Sequence, residues 1–380
     1  MRLGDIATVI TKGTTPTSLG LDFVPEGINF IKIESIADNG SFIPSKFGHI
    51  DSECNNALKR SQLKENDILF SIAGAIGRTA IVTKEILPAN TNQALAIIRM
   101  PEGLFDYSYL LYVLQSPNLI KQFEKKKQGV AQLNISLKDI SDFVVPNISM
   151  EEQKKIALNL SKVDELISCR KEQLSKLDEL VKARFVEMFG TQKYPENTLL
   201  NLCNIIDYRG KTPEKVECGL PFITAKNVRM HQMNLEPHEY ISKETYDKVM
   251  VRGFPKEGDV VFTTEAPLGN VCRIPHFDTE FYIGQRIVTM QTEKLEPIYL
   301  EYALSSDDFK AKYIEKSSGS TVTGIRVRLL EQLTIPVPPT ELQKRFAVFV
   351  EQTEKTKAEI QKSLDELETL KKSLMQKYFG

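Results

Sequence analysis

Five cysteines are scattered over 380 residues, at positions 54, 169, 203, 218 and 272, and no two of them form a CxxC pair. That pattern excludes a disulfide framework and the common zinc spacings, and it leaves reduced structural thiols. The four histidines, His49, His231, His238 and His276, include no HExxH and no set at ligand spacing with carboxylates, so metal catalysis has no residues to work with. No serine lies in a GxSxG elbow. Arg209-Gly210-Lys211-Thr212 looks superficially like a phosphate loop, but Ile205 occupies the place of the required earlier glycine. Gly74 and Gly77, like Pro267 and Gly269, follow strand-like runs without a full GxGxxG. No apolar run approaches the roughly 20 residues of a membrane span, and Met1-Arg2 leads into a strand-like stretch in place of a signal peptide. The expectation is a cytoplasmic, non-membrane, non-catalytic chain that binds no cofactor and no metal of its own.

An excess of charge is also missing. The net charge is −1, and even the most unbalanced segment, residues 191–340, sets 18 Lys+Arg against 20 Asp+Glu. A globally basic footprint of the kind that phosphate binding leaves is therefore absent. Basic clusters do occur locally. Lys121, Lys125, Lys126 and Lys127 follow one amphipathic pattern, and Lys310, Lys312, Lys316, Arg326 and Arg328 occupy the corresponding stretch later in the chain.

That correspondence belongs to a duplication. Ala183–Gly190 aligns with Ser373–Gly380 at an offset of 190, both closing on Phe-Gly, and Glu151, Gln153, Lys154 and Lys155 fall on Glu341, Gln343, Lys344 and Arg345. Earlier in the blocks the offset is 192, pairing Asp67 with Asp259, Gly77 with Gly269 and Gln93 with Gln285; it then widens to 197, pairing Gly13 with Gly210. An ordered series of matches across a whole block is the mark of an internal repeat. Each block opens with short strand-like runs (Asn29–Ile33, Asp67–Ile72 and Thr79–Thr83; Pro221–Thr224 and Asp259–Thr264). Helical patterns follow at Tyr107–Gln115 and Pro117–Lys127, and at Ile298–Leu304 and Ser306–Lys316, and a further strand-like segment is expected after Gly129 and Gly319. The fold class is α+β, with two similar mixed α/β globules.

The block tails differ in kind. From Glu151 to Met188 and from Glu341 to Tyr378 there is neither Gly nor Pro, and each stretch reads as one long helix. Ile156, Leu160, Val163, Ile167, Leu174 and Leu177 in the first, and Phe346, Val350, Ile360, Leu364, Leu367 and Leu374 in the second, recur in a heptad frame, which predicts a coiled-coil seam. Ser149 suits a helix N-cap, and Thr340 three residues before Gln343 suits a capping box. The connectivity requires the two helices to be antiparallel if their seams pair. About 38 residues at about 1.5 Å each give a strut of about 57 Å between globules. The expected domains are globule 1–150, helix 151–190, globule 191–340 and helix 341–380. Two similar heads at a fixed spacing suit two half-sites on a duplex.

In this order of parts the chain resembles the DNA-specificity (S) subunit of Type I restriction-modification systems, over essentially its whole length. The resemblance rests on Leu3-Gly4-Asp5-Ile6-Ala7 echoed by Leu199–Cys203, and on Lys12-Gly13-Thr14-Thr15-Pro16 echoed by Arg209-Gly210-Lys211-Thr212-Pro213. It rests further on Asp67–Ser71 with Gly74 and Gly77, and on Val145-Pro146 with Glu152-Gln153; Glu341-Leu342-Gln343 departs from the adjacent acidic-Gln pair. The resemblance implies that each globule is a target-recognition domain for one half of a bipartite double-stranded DNA sequence. It implies that the helices set the unspecified spacer and dock two modification subunits, and that catalysis belongs to those partners. S-adenosylmethionine, ATP and Mg are then expected only on the partner subunits, with an ATP-driven restriction subunit joining for cleavage.

Base readout needs side chains such as Arg, Lys, Asn and Gln. Lys126, Lys127, Gln132 and Asn134 in block one, and Lys316, Thr321, Thr323, Arg326 and Arg328 in block two, are the candidates, because they lie in equivalent segments beside the helices. Arg78, Gln93, Gln285 and Arg286 stand second. The rival reading is a coiled-coil adaptor that tethers two protein partners without DNA. It leaves the matched cationic segments unexplained. A self-sufficient methyltransferase or nuclease lacks its active site, having no NPPY-like cluster.

Overall fold

A computed structural model of the chain describes residues 1–124, 135–208, 210, 213–318 and 323–380. It forms two compact units, one made of Met1–Lys171 with Lys362–Gly380 and the other of Glu172–Gln361.

In unit 1 the strands Val9–Lys12, Leu95–Arg99, Ile68–Ser71 and Thr79–Ile81 lie side by side, in that order, in one antiparallel sheet. A second sheet sets Ile28–Ile31 between Gly48–Ile50 (antiparallel) and Ala89–Thr91 (parallel). Every residue of Ile68–Ser71 is buried, as befits a strand covered on both faces. Side-chain alternation sends Ile68, Phe70, Ala96 and Ile98 into a core shared with the helices. It sends Leu69, Ala80, Leu95 and Ile97 to the opposite face, into a second core.

Unit 2 repeats the plan. Asn204–Asp207, Ile287–Gln291, Val260–Thr263 and Val271–Arg273 form the four-stranded sheet in the same order, and Tyr240–Ile241, Leu220–Ile223 and Tyr282–Ile283 form the three-stranded one. Val260, Phe262, Val288 and Met290 face the helices, while Val261, Cys272 and Ile287 face away. After their strands, Gly77 and Gly269 turn the chain at φ of 88° and 89°, a conformation that favours glycine. Gly13 answers a different need, since a Cβ there would lie 1.8 Å from the Thr91 carbonyl oxygen.

The helical layer of unit 1 holds Tyr107–Leu114, capped by Asp106 accepting from the Tyr109 N–H at 2.9 Å, and then Pro117–Glu124. Unit 2 holds Pro297–Ser305 and Asp307–Lys316, the latter capped by Ser306. After Gly319 the expected strand forms as Thr334–Pro336, antiparallel to Glu196–Thr198, whereas none follows Gly129 among the described residues before the long helix. Leu137–Ser141 and Val327–Leu330 are helical turns, the first closed by a Ser136–Asp139 capping box. Leu3–Ile6 is likewise a helical turn before the first strand, its Ala7 N–H bonded to the Leu3 carbonyl.

The long helices are Met150–Phe185, which runs into a π-helical turn Val186–Gly190, and Thr340–Phe379. They pair antiparallel within each unit. In unit 1 Asn159 meets Tyr378, Asp164 meets Lys371 at 2.6 Å and Lys171 meets Glu368 at 3.2 Å. In unit 2 Asp178 meets Lys357 and Phe185 meets Phe346. Each unit's core is closed by an aromatic pair related by the repeat: Tyr109 with Phe379 at 5.6 Å between ring centroids, and Tyr299 with Phe189 at 4.9 Å. Ser149 and Glu152 form a capping box. The box expected at Thr340 is absent, because the Gln343 side chain is turned inward, onto Glu296 and Pro338.

Candidate nucleic-acid interface

Two motifs that mark the repeat turn out to hold the scaffold. Gln153 and Gln343 are 3% and 1% exposed. Each accepts from the backbone N–H ahead of a helix, Asp106 or Glu296, both at 2.9 Å, and donates to a carbonyl before its own helix, Ile148 or Pro338. One amide thus ties the long helix to the globule twice. Asp67 and Asp259 likewise accept from the backbone three residues earlier, Lys64 and Lys256, each at 2.7 Å. They then diverge: Asp67 takes both Nε and a terminal amine of Arg99 at 2.6 Å, and Asp259 takes the Gln291 amide at 2.7 Å. Burial raises the Asp259 carboxyl above its ordinary value.

Of the candidate readout residues, Lys126, Lys127, Gln132, Asn134 and Thr321 lie outside the described residues. Lys316 ends its helix, exposed and beside Glu315 at 3.1 Å. Thr323, Arg326 and Arg328 are exposed, whereas Ile325, Val327 and Leu330 between and after them are buried. The apolar residues anchor the segment, and the polar ones face outward.

The anchoring has a definite place. Ser318 and Gly324 exchange backbone hydrogen bonds at 3.0 and 3.1 Å. Gly324 also bridges Glu265, and the Ile325 N–H donates to the Thr264 carbonyl at 2.9 Å. On its other side Thr264 donates its N–H to the Arg286 carbonyl at 2.9 Å, and Glu265 Oε1 takes Arg286 Nε at 2.8 Å. Thr264–Glu265 therefore lies between Thr323–Arg328 and Gln285–Arg286, and two groups of candidates far apart in sequence meet at one strand end. Beside them opens a cleft of about 200 Å³ lined by Lys215, Phe222, Lys226, Glu239, Gln285 and Arg286 among others. Lys215 pairs with Glu239 at 2.8 Å at that cleft.

Other cations serve the fold. Lys312 Nζ bonds both Glu196 oxygens, at 3.0 and 3.1 Å, and the Thr334 carbonyl, so its place in the cationic stretch is structural. Arg78 donates to the Ile33 and Ile36 carbonyls and to Asp38. Gln93 accepts from the Thr15 hydroxyl. In the sequence Arg286 stands second because a single charge before a strand forms no pattern. The usable signal is the change from Gln93-Ala94 to Gln285-Arg286 at matched positions.

A family model described as the Type I restriction modification DNA specificity domain matches residues 1–179 and again 196–369. The chain belongs to that family. Two type I restriction enzyme specificity subunits of Methanocaldococcus jannaschii, MjaX and MjaVIII, are 26% and 24% identical to it, over 98% and 99% of this chain and 90% of each relative. The crystal structure of a Type I restriction-modification S subunit from M. genitalium matches with a TM-score of 0.58 at 16% identity, covering all of this chain and 95% of the other, a likeness of fold. This specificity chain thus carries its domain twice, in two mixed helix-and-sheet units to each of which both long helices contribute.

In the helix pair of this specificity chain, Leu160, Val163, Phe346, Val350 and Leu364 are buried, and Ile156, Ile167, Leu174, Leu177, Ile360, Leu367 and Leu374 are half-buried. Leu158, Leu166, Leu180, Val348 and Leu370 on the same helices are exposed. Among the described residues no group of His, Cys, Asp and Glu could hold a metal ion, and no helix is long and apolar enough to cross a membrane.

Proposed function

We propose that each unit reads one half of a bipartite target in double-stranded DNA, while the two long helices set the length of the unread spacer and dock two modification subunits. The chain performs no chemistry itself. Adenine methylation is done by the modification subunits with S-adenosylmethionine, and cleavage by an ATP- and Mg-dependent restriction subunit, all acting in the cytoplasm. The observation that supports this reading is the duplicated unit, in whose second copy Thr264–Glu265 bonds both Ile325 and Arg286, next in sequence to the exposed Thr323, Arg326 and Arg328. Arginine, lysine and glutamine are the side chains that contact phosphates and base edges. A net charge of −1 is compatible with DNA binding when partner subunits share the phosphate contacts.

The test is single-molecule methylation sequencing of host DNA with and without this gene, the neighbouring operon intact in both. A split adenine-methylated motif that vanishes with the gene is the expected result. An unchanged set of motifs in a host that expresses the complex overturns the proposal.

A further inference from the structure

The two units share one backbone arrangement at the strand end described above. In unit 2 the Thr264 N–H donates to the Arg286 carbonyl and the Ile325 N–H to the Thr264 carbonyl, both at 2.9 Å. In unit 1 the Ile72 N–H donates to the Ala94 carbonyl at 2.9 Å and the Ile135 N–H to the Ile72 carbonyl at 3.0 Å. Positions 94 and 286 are therefore the same place on the same scaffold, as are 72 and 264. The side chains differ. Unit 2 has Glu265 and Arg286 joined by an ion pair, and unit 1 has Ala73 and Ala94. A scaffold built for one fold has no need of a charged pair in one copy and two methyl groups in the other.

We infer that Arg286 is a specificity-determining residue, reading a guanine in the half-site of unit 2, and that unit 1, with alanine there, reads no guanine at the matching position. The inference rests on the proposed function and adds a residue and a base to it. Arg286 suits the task on three counts. Its side chain is 52% exposed. Its Nε is held by Glu265 Oε1, so part of the ordering that a contact requires is already done. A guanidinium presents two parallel donors matched to guanine O6 and N7, the commonest specific contact in the major groove. Position is fixed as well, because the Arg286 carbonyl is locked to Thr264 and Gly284 donates its N–H to the Ile223 carbonyl at 2.7 Å. Gly284 packs tightly there, since a Cβ would stand 3.0 Å from the Phe222 ring. The Gln285-Arg286 turn is thus pinned from both sides.

The experiment compares methylated motifs in cells carrying the wild-type chain, Arg286→Gln or Arg286→Lys, each in the intact operon. Wild type must first give a split motif; without one the proposed function itself fails. Given that motif, Arg286→Gln is expected to relax one G·C position of one half-site by tenfold or more in relative methylation, with the other half-site unchanged. Arg286→Lys keeps a cation beside Glu265 and is expected to retain a weaker preference at the same position. An unaltered motif, or relaxation spread over both halves, overturns the inference. Loss of all methylation in both variants, with the complex still assembled on purification, overturns it as well, because a one-base reader leaves the remaining contacts in place.

Discussion

Replacing Arg99 by Met is expected to destabilise unit 1 through the buried carboxyl of Asp67. The Asp67 side chain is fully buried and accepts two hydrogen bonds from Arg99, each at 2.6 Å, and one from the Lys64 N–H at 2.7 Å. Methionine keeps the aliphatic stem but removes both charge-assisted bonds, which leaves a buried carboxylate on one backbone donor. Stripping one partner from a buried ion pair costs about 3–5 kcal/mol. Because the Arg99 side chain is 24% exposed, water can replace part of that bonding, and the low end, about 3 kcal/mol, applies. Unit 2 provides the calibration, since Gln291 satisfies Asp259 at the matching place. Arg99→Gln should then cost only about 1–2 kcal/mol, the difference between charge-assisted and neutral bonding. Native-state hydrogen exchange is the assay, read at the amides of Ile68–Ser71 and Leu95–Arg99 with those of Val260–Thr263 and Ile287–Gln291 as controls. A Gln variant as unstable as the Met variant would refute the reasoning, and so would equal loss of protection in both units.

Three further outcomes follow from the same geometry. Tyr109 and Tyr299 are related by the repeat, but the Tyr299 hydroxyl donates to Pro336 at 2.8 Å whereas the buried Tyr109 hydroxyl has no partner among the described residues. Tyr299→Phe should destabilise unit 2 by about 1 kcal/mol, and Tyr109→Phe should be neutral or stabilising in unit 1, as measured by exchange in each unit. Burial raises the folded-state pKa of Asp259 above the ordinary 3.8, so unit 2 loses stability as pH climbs from that value through the raised one. Asp259→Asn should flatten that slope, and an unchanged slope in a pH series of chemical denaturations would contradict it. Changing Lys316, Arg326 and Arg328 together to Ala should weaken DNA binding by the assembled complex and reduce its salt slope by about 0.9 for each phosphate no longer neutralised; an unchanged affinity and slope would remove this segment from the DNA face.

The sequence is legible where one residue type has one geometric use. Gln153 and Gln343, or Asp67 and Asp259, are buried amides and carboxylates with fixed backbone partners, so both copies kept them and the repeat shows through. The heptad frame is equally readable, because burial of one helix face imposes its own period. Charges are harder to sort. Lys312 and Arg78 look like any surface cation in sequence, and only the fold shows that Glu196 and the Ile33 and Ile36 carbonyls claim them. Val327, although β-branched, is buried with Leu330 in a helical turn, so tertiary packing there overrides local strand preference. The meeting of Arg286 with Thr323–Arg328 could not be foreseen, since it depends on a backbone bridge between Glu265 and Gly324.

The aromatic closure of the two cores carries a consequence for inheritance. Phe189, at the end of block one, seals Tyr299 of unit 2, and Phe379, at the end of block two, seals Tyr109 of unit 1. Each block therefore lends its neighbour the lid that it does not keep for itself, and the two lids are the same fitting. A chain with one block exchanged is therefore expected to fold only where the incoming segment supplies that phenylalanine and meets that tyrosine. Neither core is complete within its own block, so the two blocks are bound to each other's ends by the same aromatic pair.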